Sequence, residues 1–280
     1  MAESLWVAPR LTNGLGNRLF QAVAAIRVAE QYGIEPVFFL PRMSAYEHGN
    51  FSLLLKLFPS IRIIETAAEW NQFGETQEKI IPPITLTKPV VLSGYFQNSA
   101  NFPSLTNPNL PSLPSLPATT PKRPGVWALH FRLGDYCILP HHQVRELNKY
   151  YYQTIQKYIP SGQTIILFSD SPHRLQPMSE EIKSLGYNTE IFTSTDTLET
   201  LQAFSACQGG AICSNSTFSW WAAYFAFRAA NAEIKANYKA YFPDYWLTNA
   251  PSPNLYTLPF THVIELNSLP ASPYLKSFSY

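Results

Sequence analysis

The chain has 280 residues, 46% hydrophobic and 14% charged, with a formal net charge of +1. That is enough apolar material for one large or two modest cores, and the balanced charge without a Lys/Arg block argues against a nucleic-acid or anionic-membrane footprint. The longest apolar stretch, Ala222 to Ala230, contains Arg228 and is too short to span a bilayer, leaving only peripheral membrane contact open.

Cys137, Cys207 and Cys213 form neither a disulfide framework nor a metal-ligand spacing. With no basic-then-apolar leader pattern at the N-terminus, a reduced, cytoplasmic protein is the expectation. Asn215-Ser216-Thr217 is formally a glycosylation sequon, and a glycan there would block the site proposed for that segment, which favours the same compartment.

Early in the chain, Asn13-Gly14-Leu15-Gly16-Asn17-Arg18-Leu19-Phe20-Gln21 opens a helix whose Leu19, Val23 and Ile26 share one face. Gly14 and Gly16 permit a tight turn and close backbone approach, as in phosphate-binding loops, although neither a P-loop nor a G-x-G-x-x-G fingerprint is present. An ordinary turn before a helix fits the same residues. Strands are predicted at 37–40, 61–64 and 90–92, giving a smaller α/β unit over residues 1–102. Prolines then recur at 103, 108, 111, 114, 117, 121 and 124, which predicts a semi-extended connector over 103–125.

Beyond it the pattern is regular. Strands at 126–131, 164–168, 190–192, 210–213 and 233–236 alternate with helices at 147–159, 179–185, 197–207 and from Ser216 to about Arg228. Such alternation predicts a parallel, doubly wound α/β domain over 126–250, with 251–280 as a tail. Ligands in such sheets gather at the carboxyl ends of strands. Two α/β units joined by a Pro-rich connector leave a cleft between them.

Three strand ends carry the polar residues. His130 and Arg132 fall on one face, since strand side chains alternate, and Gly134 allows a sharp turn. Arg132 there can hold a pair of phosphate oxygens, with His130 donating to the same anion or orienting the Arg. Asp135 reads as a salt-bridging or capping residue, or else as a general base. Asp170 can accept hydrogen bonds from a base or ribose, or cap its loop. Ser214-Asn215-Ser216-Thr217-Phe218-Ser219 precedes Trp220-Trp221 in the last helix; it reads as a helix cap, whose free amides and dipole also suit phosphate. No Asp-x-Asp pair or Cys/His cluster suggests a metal.

Taken in order, Gly14-Leu15-Gly16-Asn17 with Phe20-Gln21, Gly94-Tyr95-Phe96-Gln97, His130-x-Arg132-x-Gly134-Asp135-Tyr136, Phe168-Ser169-Asp170 and Ser214 to Ala223 resemble the α-1,2-fucosyltransferases, from about Leu11 to Phe242. The resemblance implies two Rossmann-like domains facing a cleft, the GT-B glycosyltransferase fold, and inverting transfer of fucose from GDP-fucose to a glycan hydroxyl without a metal or other cofactor. It implies that Arg132 holds the β-phosphate with support from His130. Ser216, Thr217, Phe218 and Ser219 would line the diphosphate, and Asn17 would serve the fucose–phosphate end. Departures from the family pattern are Arg18 in place of Gln, Leu133 in place of a second Arg, Ser171 in place of a second Asp, and Cys207-Gln208-Gly209 in place of Cys-Lys-His. Arg18 is the residue that could restore a phosphate contact from the first domain. Transfer of another GDP-sugar, and a non-catalytic nucleotide- or glycan-binding protein, are the rival readings.

Overall fold

The computed structural model describes residues 5–39, 51–104, 106–117, 120–251, 258–271 and 273–279. The chain is α/β with two parallel sheets in two compact units that divide between Ser115 and Leu116.

In the first unit β1 (Trp6–Pro9), α1 (Leu15–Tyr32), β2 (Glu35–Phe39), α2 (Phe51–Leu57), β3 (Arg62–Ile64), β4 (Asn71–Gly74) and β5 (Val90–Ser93) follow in sequence. The strands lie in the order β3-β2-β1-β5-β4, all parallel. Alternation sorts their side chains to two faces. Val7, Val90 and Leu92 pack with Ala24, Ala25, Val28 and Ala29 of α1, whose small side chains let the helix lie close. Trp6, Ala8, Val37, Phe39 and Val91 build the other face. Gly33 ends α1 at φ 65°, and its N–H returns to Ala29 O. The sequence reading lacked β1, and Leu40 of its second strand lies outside the described residues.

The second unit contains β6 (Trp127–Phe131), α3 (Leu147–Tyr158), β7 (Thr164–Ser169), α4 (Gln176–Ser184), β8 (Asn188–Ile191), α5 (Thr197–Ala206), β9 (Gly210–Ile212), α6 (Thr217–Ala229), α7 (Ala232–Asn237), β10 (Ala240–Pro243), a hairpin of β11 (Tyr245–Leu247) and β12 (Ala250–Pro251), and β13 (Thr261–Ile264). Its sheet runs β13-β10-β9-β6-β7-β8, all parallel. Such strands are buried on both faces, hence the burial of all five residues of β6, apolar except for His130. Trp127, Leu129 and Phe131 pack with Tyr150, Tyr151 and Ile155 of α3 and with Met178 and Ile182 of α4. Ala128 and His130 therefore face the other way. Trp220 and Trp221 are fully buried in α6, where Trp220 stacks on Tyr224 at 5.7 Å.

Three expectations are corrected. Residues 233–236 are helical: Asn231 caps α7 by accepting from Ile234 N, and the strand lies further on at β10. Residues 120–125 are not connector, because Arg123 N donates to Ala206 O at 2.8 Å and its guanidinium pairs with Glu190 at 2.6 Å. The stretch from 258 is not a loose tail: β13 extends the sheet, Leu275 and Phe278 enter the core, and Ser277 N donates to Glu181 at 2.9 Å. Residues 252–257, 272 and 280 of that predicted tail, and 105, 118 and 119 of the predicted connector, lie outside the described residues.

Candidate functional site

Strand order locates the place where each sheet opens. In the second unit the chain steps from β6 outward to β7 and β8, then returns to lay β9 on the other side of β6. Loops leaving β6 and β9 diverge at their carboxyl ends, and such switch points are where open parallel sheets bind ligands. His130, Arg132 and Asp135 leave β6; Ser214 to Ser219 leave β9. The first unit has its own switch point between β1 and β5.

His130 joins the two sides in the second unit. Its Nδ1 lies 3.0 Å from Ser214 Oγ and 2.7 Å from Ser219 Oγ, and the two hydroxyls are 3.0 Å apart. Phe218 packs beside the ring at 5.6 Å. Burial pushes the His130 pKa down to about 4, with Asp170 opposing and Arg132 assisting, so the ring is neutral at pH 7. His130 was expected to donate to an anion or to orient Arg132; its Nδ1 is engaged by the two serines.

Arg132 carries the charge. Its Nη1 is 2.7 Å from Asp170 Oδ2 and its Nη2 is 2.8 Å from Asp135 Oδ1. Its guanidinium also lies 5.3 Å from the Tyr136 ring centre. Asp170 accepts Leu133 N at 2.9 Å and Gly134 N at 3.0 Å, fixing the turn after β6. Burial pushes Asp170 up, but Arg132 and these amides together hold it below the usual carboxylate range. This makes Asp170 a brace for the neighbouring turn, across 36 residues of sequence that no local pattern reveals. Gly134 is needed for a reason the sequence did not give. Its φ is −65°, open to any residue, but a Cβ there would collide with Asp170 Oδ2. Arg174, which the sequence reading missed, braces the same turn by donating to Leu133 O at 3.0 Å.

The start of α6 departs from the predicted cap. Ser216 occupies the N-cap position with no side-chain cap hydrogen bond, whereas Asp196 and Asn231 do cap α5 and α7. Asn215, fully buried, turns away to donate to Trp246 O at 2.8 Å and His142 O at 3.2 Å. Tyr136 Oη donates to Asn215 O at 3.2 Å, tying the β6 loop to the β9 loop. Thr217, Phe218 and Ser219 form the first turn, whose amides lie beyond the reach of i−4 helical acceptors.

The predicted residues of the first unit gather at its switch point. Gln21, 1% exposed, accepts Thr12 N at 3.0 Å and donates to Gly94 O at 3.0 Å, so it spans the β1 and β5 sides. Asn17 Oδ1 accepts from Gln97 Nε2 at 2.9 Å, and Asn13 Nδ2 donates to Tyr95 Oη at 2.9 Å. Asn13, not Gly14 or Gly16, takes the left-handed backbone, at φ 61°. Gly14 is the α1 N-cap, with open space where a Cβ would stand. Arg18 is buried, at 4% exposure. Glu75 accepts Tyr95 N at 2.7 Å and Phe96 N at 2.5 Å, holding Phe96 at a strained φ of 52°.

Among the described residues no helix is long and apolar enough to cross a membrane, and no group of three or more His, Cys, Asp or Glu side chains is placed to hold a metal ion. No protein-family model and no curated protein sequence matches the chain.

Proposed function

We propose that the chain is an inverting glycosyltransferase of the α-1,2-fucosyltransferase kind, with a GT-B arrangement, moving L-fucose from GDP-fucose to a glycan hydroxyl, on galactose by the same resemblance. The observation that carries this reading is the joint between His130-x-Arg132 and the uncapped start of α6 at the switch point of a parallel sheet. A guanidinium fork beside free helix amides suits a diphosphate.

In the proposed reaction an acceptor oxygen bonds to the anomeric carbon of fucose as that carbon's bond to the β-phosphate oxygen breaks. The configuration inverts, the bonding electrons leave with GDP, and the hydroxyl proton passes to phosphate or solvent. Negative charge grows on the leaving diphosphate, where Arg132 and the amides of Thr217 and Phe218 act. Fixed donors at such a position lower the barrier because they need no reorganisation. Neutral His130 adds no charge; it keeps the two loops in register.

The test is a panel of nucleotide sugars with a mixed galactoside acceptor pool, read by mass. A gain of one deoxyhexose from GDP-fucose supports the proposal. Transfer only from a different GDP-sugar would move the reading to that donor, and no transfer together with no donor hydrolysis would favour a non-catalytic binding protein.

A further inference from the structure

We propose that Asp135 is an exchangeable stand-in for a phosphate group: it pairs with Arg132, yields it to an incoming diphosphate, and takes it back as the diphosphate leaves. The inference rests on the reading of this cluster as a diphosphate site and adds how Arg132 passes between a carboxylate and the diphosphate.

Two carboxylates share Arg132, and they are not equivalent. Asp170 is anchored by Leu133 N, Gly134 N and the Ser169 hydroxyl as well as by Arg132. Among the described residues, the Asp135 side chain makes, beside an electrostatic interaction with His142, one ion pair, with Arg132. That contact is an ion pair without hydrogen-bond alignment, since Asp135 Oδ1 is buried with no hydrogen-bond partner. Its side chain is 34% exposed, and it sits on a single turn of 3-10 helix, Asp135–Cys137. Opening that one contact releases no other hydrogen bond of the Asp135 side chain.

Charge explains why an exchange is needed. One guanidinium and two carboxylates sum to −1, and His130 is neutral beside them. Arg174 adds no ion pair to either carboxylate among the described residues; it is turned to Leu133 O, Cys137 Sγ and Ser279 O. A diphosphate approaching Arg132 therefore meets net negative charge until one carboxylate gives way. Asp170 cannot leave without releasing two backbone amides, whereas Asp135 leaves nothing behind but its own ion pair. Asp135 would then act as a positioning residue, keeping Arg132 extended when no anion is present and competing with product afterwards.

The test is calorimetric titration of the full chain with inorganic pyrophosphate and, separately, GDP. Asp135→Asn is expected to bind both about tenfold more tightly, because a repelling charge and a competitor are removed together. Asp135→Ser, a second variant in case the first folds poorly, should behave alike. Asp170→Asn should weaken both ligands, since an amide cannot accept from both Leu133 N and Gly134 N. If the activity is present, Asp135→Asn should also show a burst followed by slower steady turnover, the sign of retained GDP. Unchanged or weaker pyrophosphate binding by both folded Asp135 variants would overturn the inference. Tightened pyrophosphate binding without any GDP binding would leave it standing and remove the GDP-sugar reading instead. No anion binding by any form would remove both.

Discussion

The two switch points solve one structural problem with different chemistry. Each parallel sheet splits where its strand order reverses, and in each a buried polar side chain ties the diverging loops together. In the first unit that side chain is Gln21, bonded to Thr12 and Gly94; in the second it is His130, bonded to Ser214 and Ser219. Around Gln21 lie the neutral side chains of Asn13, Asn17, Tyr95 and Gln97, the buried Arg18, and one matched pair, Glu75 with Lys79. Around His130 lies an arginine between two carboxylates. Topology thus makes two possible sites, and the proposed function assigns the anionic leaving group to the second, where Arg132 follows the His130 joint.

The largest effect should come from the charge itself. Arg132→Ala is expected to lower the transfer rate roughly 10²–10³-fold in a chain that still folds, the usual scale for removing a donor from developing charge. Its melting temperature should fall, because Asp170 and Asp135 lose their counter-charge. Arg132→Lys should recover only part of it, because a point charge does not reproduce the fork. A near-native rate in the alanine variant would end the assignment of Arg132.

The His130 joint should show in stability against pH. Its folded pKa of about 4 lies below the unfolded value near 6.5, so its contribution is complete above about pH 6.5 and is lost as pH falls through 4. The depression corresponds to roughly 3 kcal/mol lost across that window. Urea unfolding at pH 7 and pH 4.5 should show this, and His130→Asn should flatten the dependence. An equal slope in variant and parent would assign acid sensitivity elsewhere, with His142 and His262, both depressed first by burial, the next candidates.

Gln21 is the matching test in the first unit. Gln21→Leu keeps the volume but strands Thr12 N–H and Gly94 C=O, which should cost about 2 kcal/mol with no pH dependence. A pH-dependent loss would mean that the two joints are not separable by charge.

Much of the second unit was legible because its parallel strands are mostly apolar: 127–131, 164–169 and 210–212 differ little from the predicted spans. Glu233-Ile234-Lys235-Ala236 misled through its alternation, while the deciding feature was the Asn231 cap just before it. β1 went unread because Trp6-Val7-Ala8-Pro9 is short and ends in proline. Of the site, residues at strand ends were readable by position. The bracing of Gly134 by Asp170, of Leu133 by Arg174 and of both switch points by Gln21 and His130 was not, since these contacts link distant segments.

A smaller kinetic effect should separate the units. Asn17→Ala removes the acceptor of the Gln97 amide, and is expected to lower kcat about tenfold while the Kd for GDP stays within about twofold. Equal losses of rate and GDP affinity would argue against this division of labour.

The most direct measurement is amide hydrogen exchange with and without saturating GDP. Nucleotide bound at the charged switch point should slow exchange in the segments 132–135 and 216–220 and leave 12–21 and 94–97 unchanged. Protection confined to 12–21 and 94–97 would contradict the claim that the second unit holds the diphosphate, and so would protection of neither set.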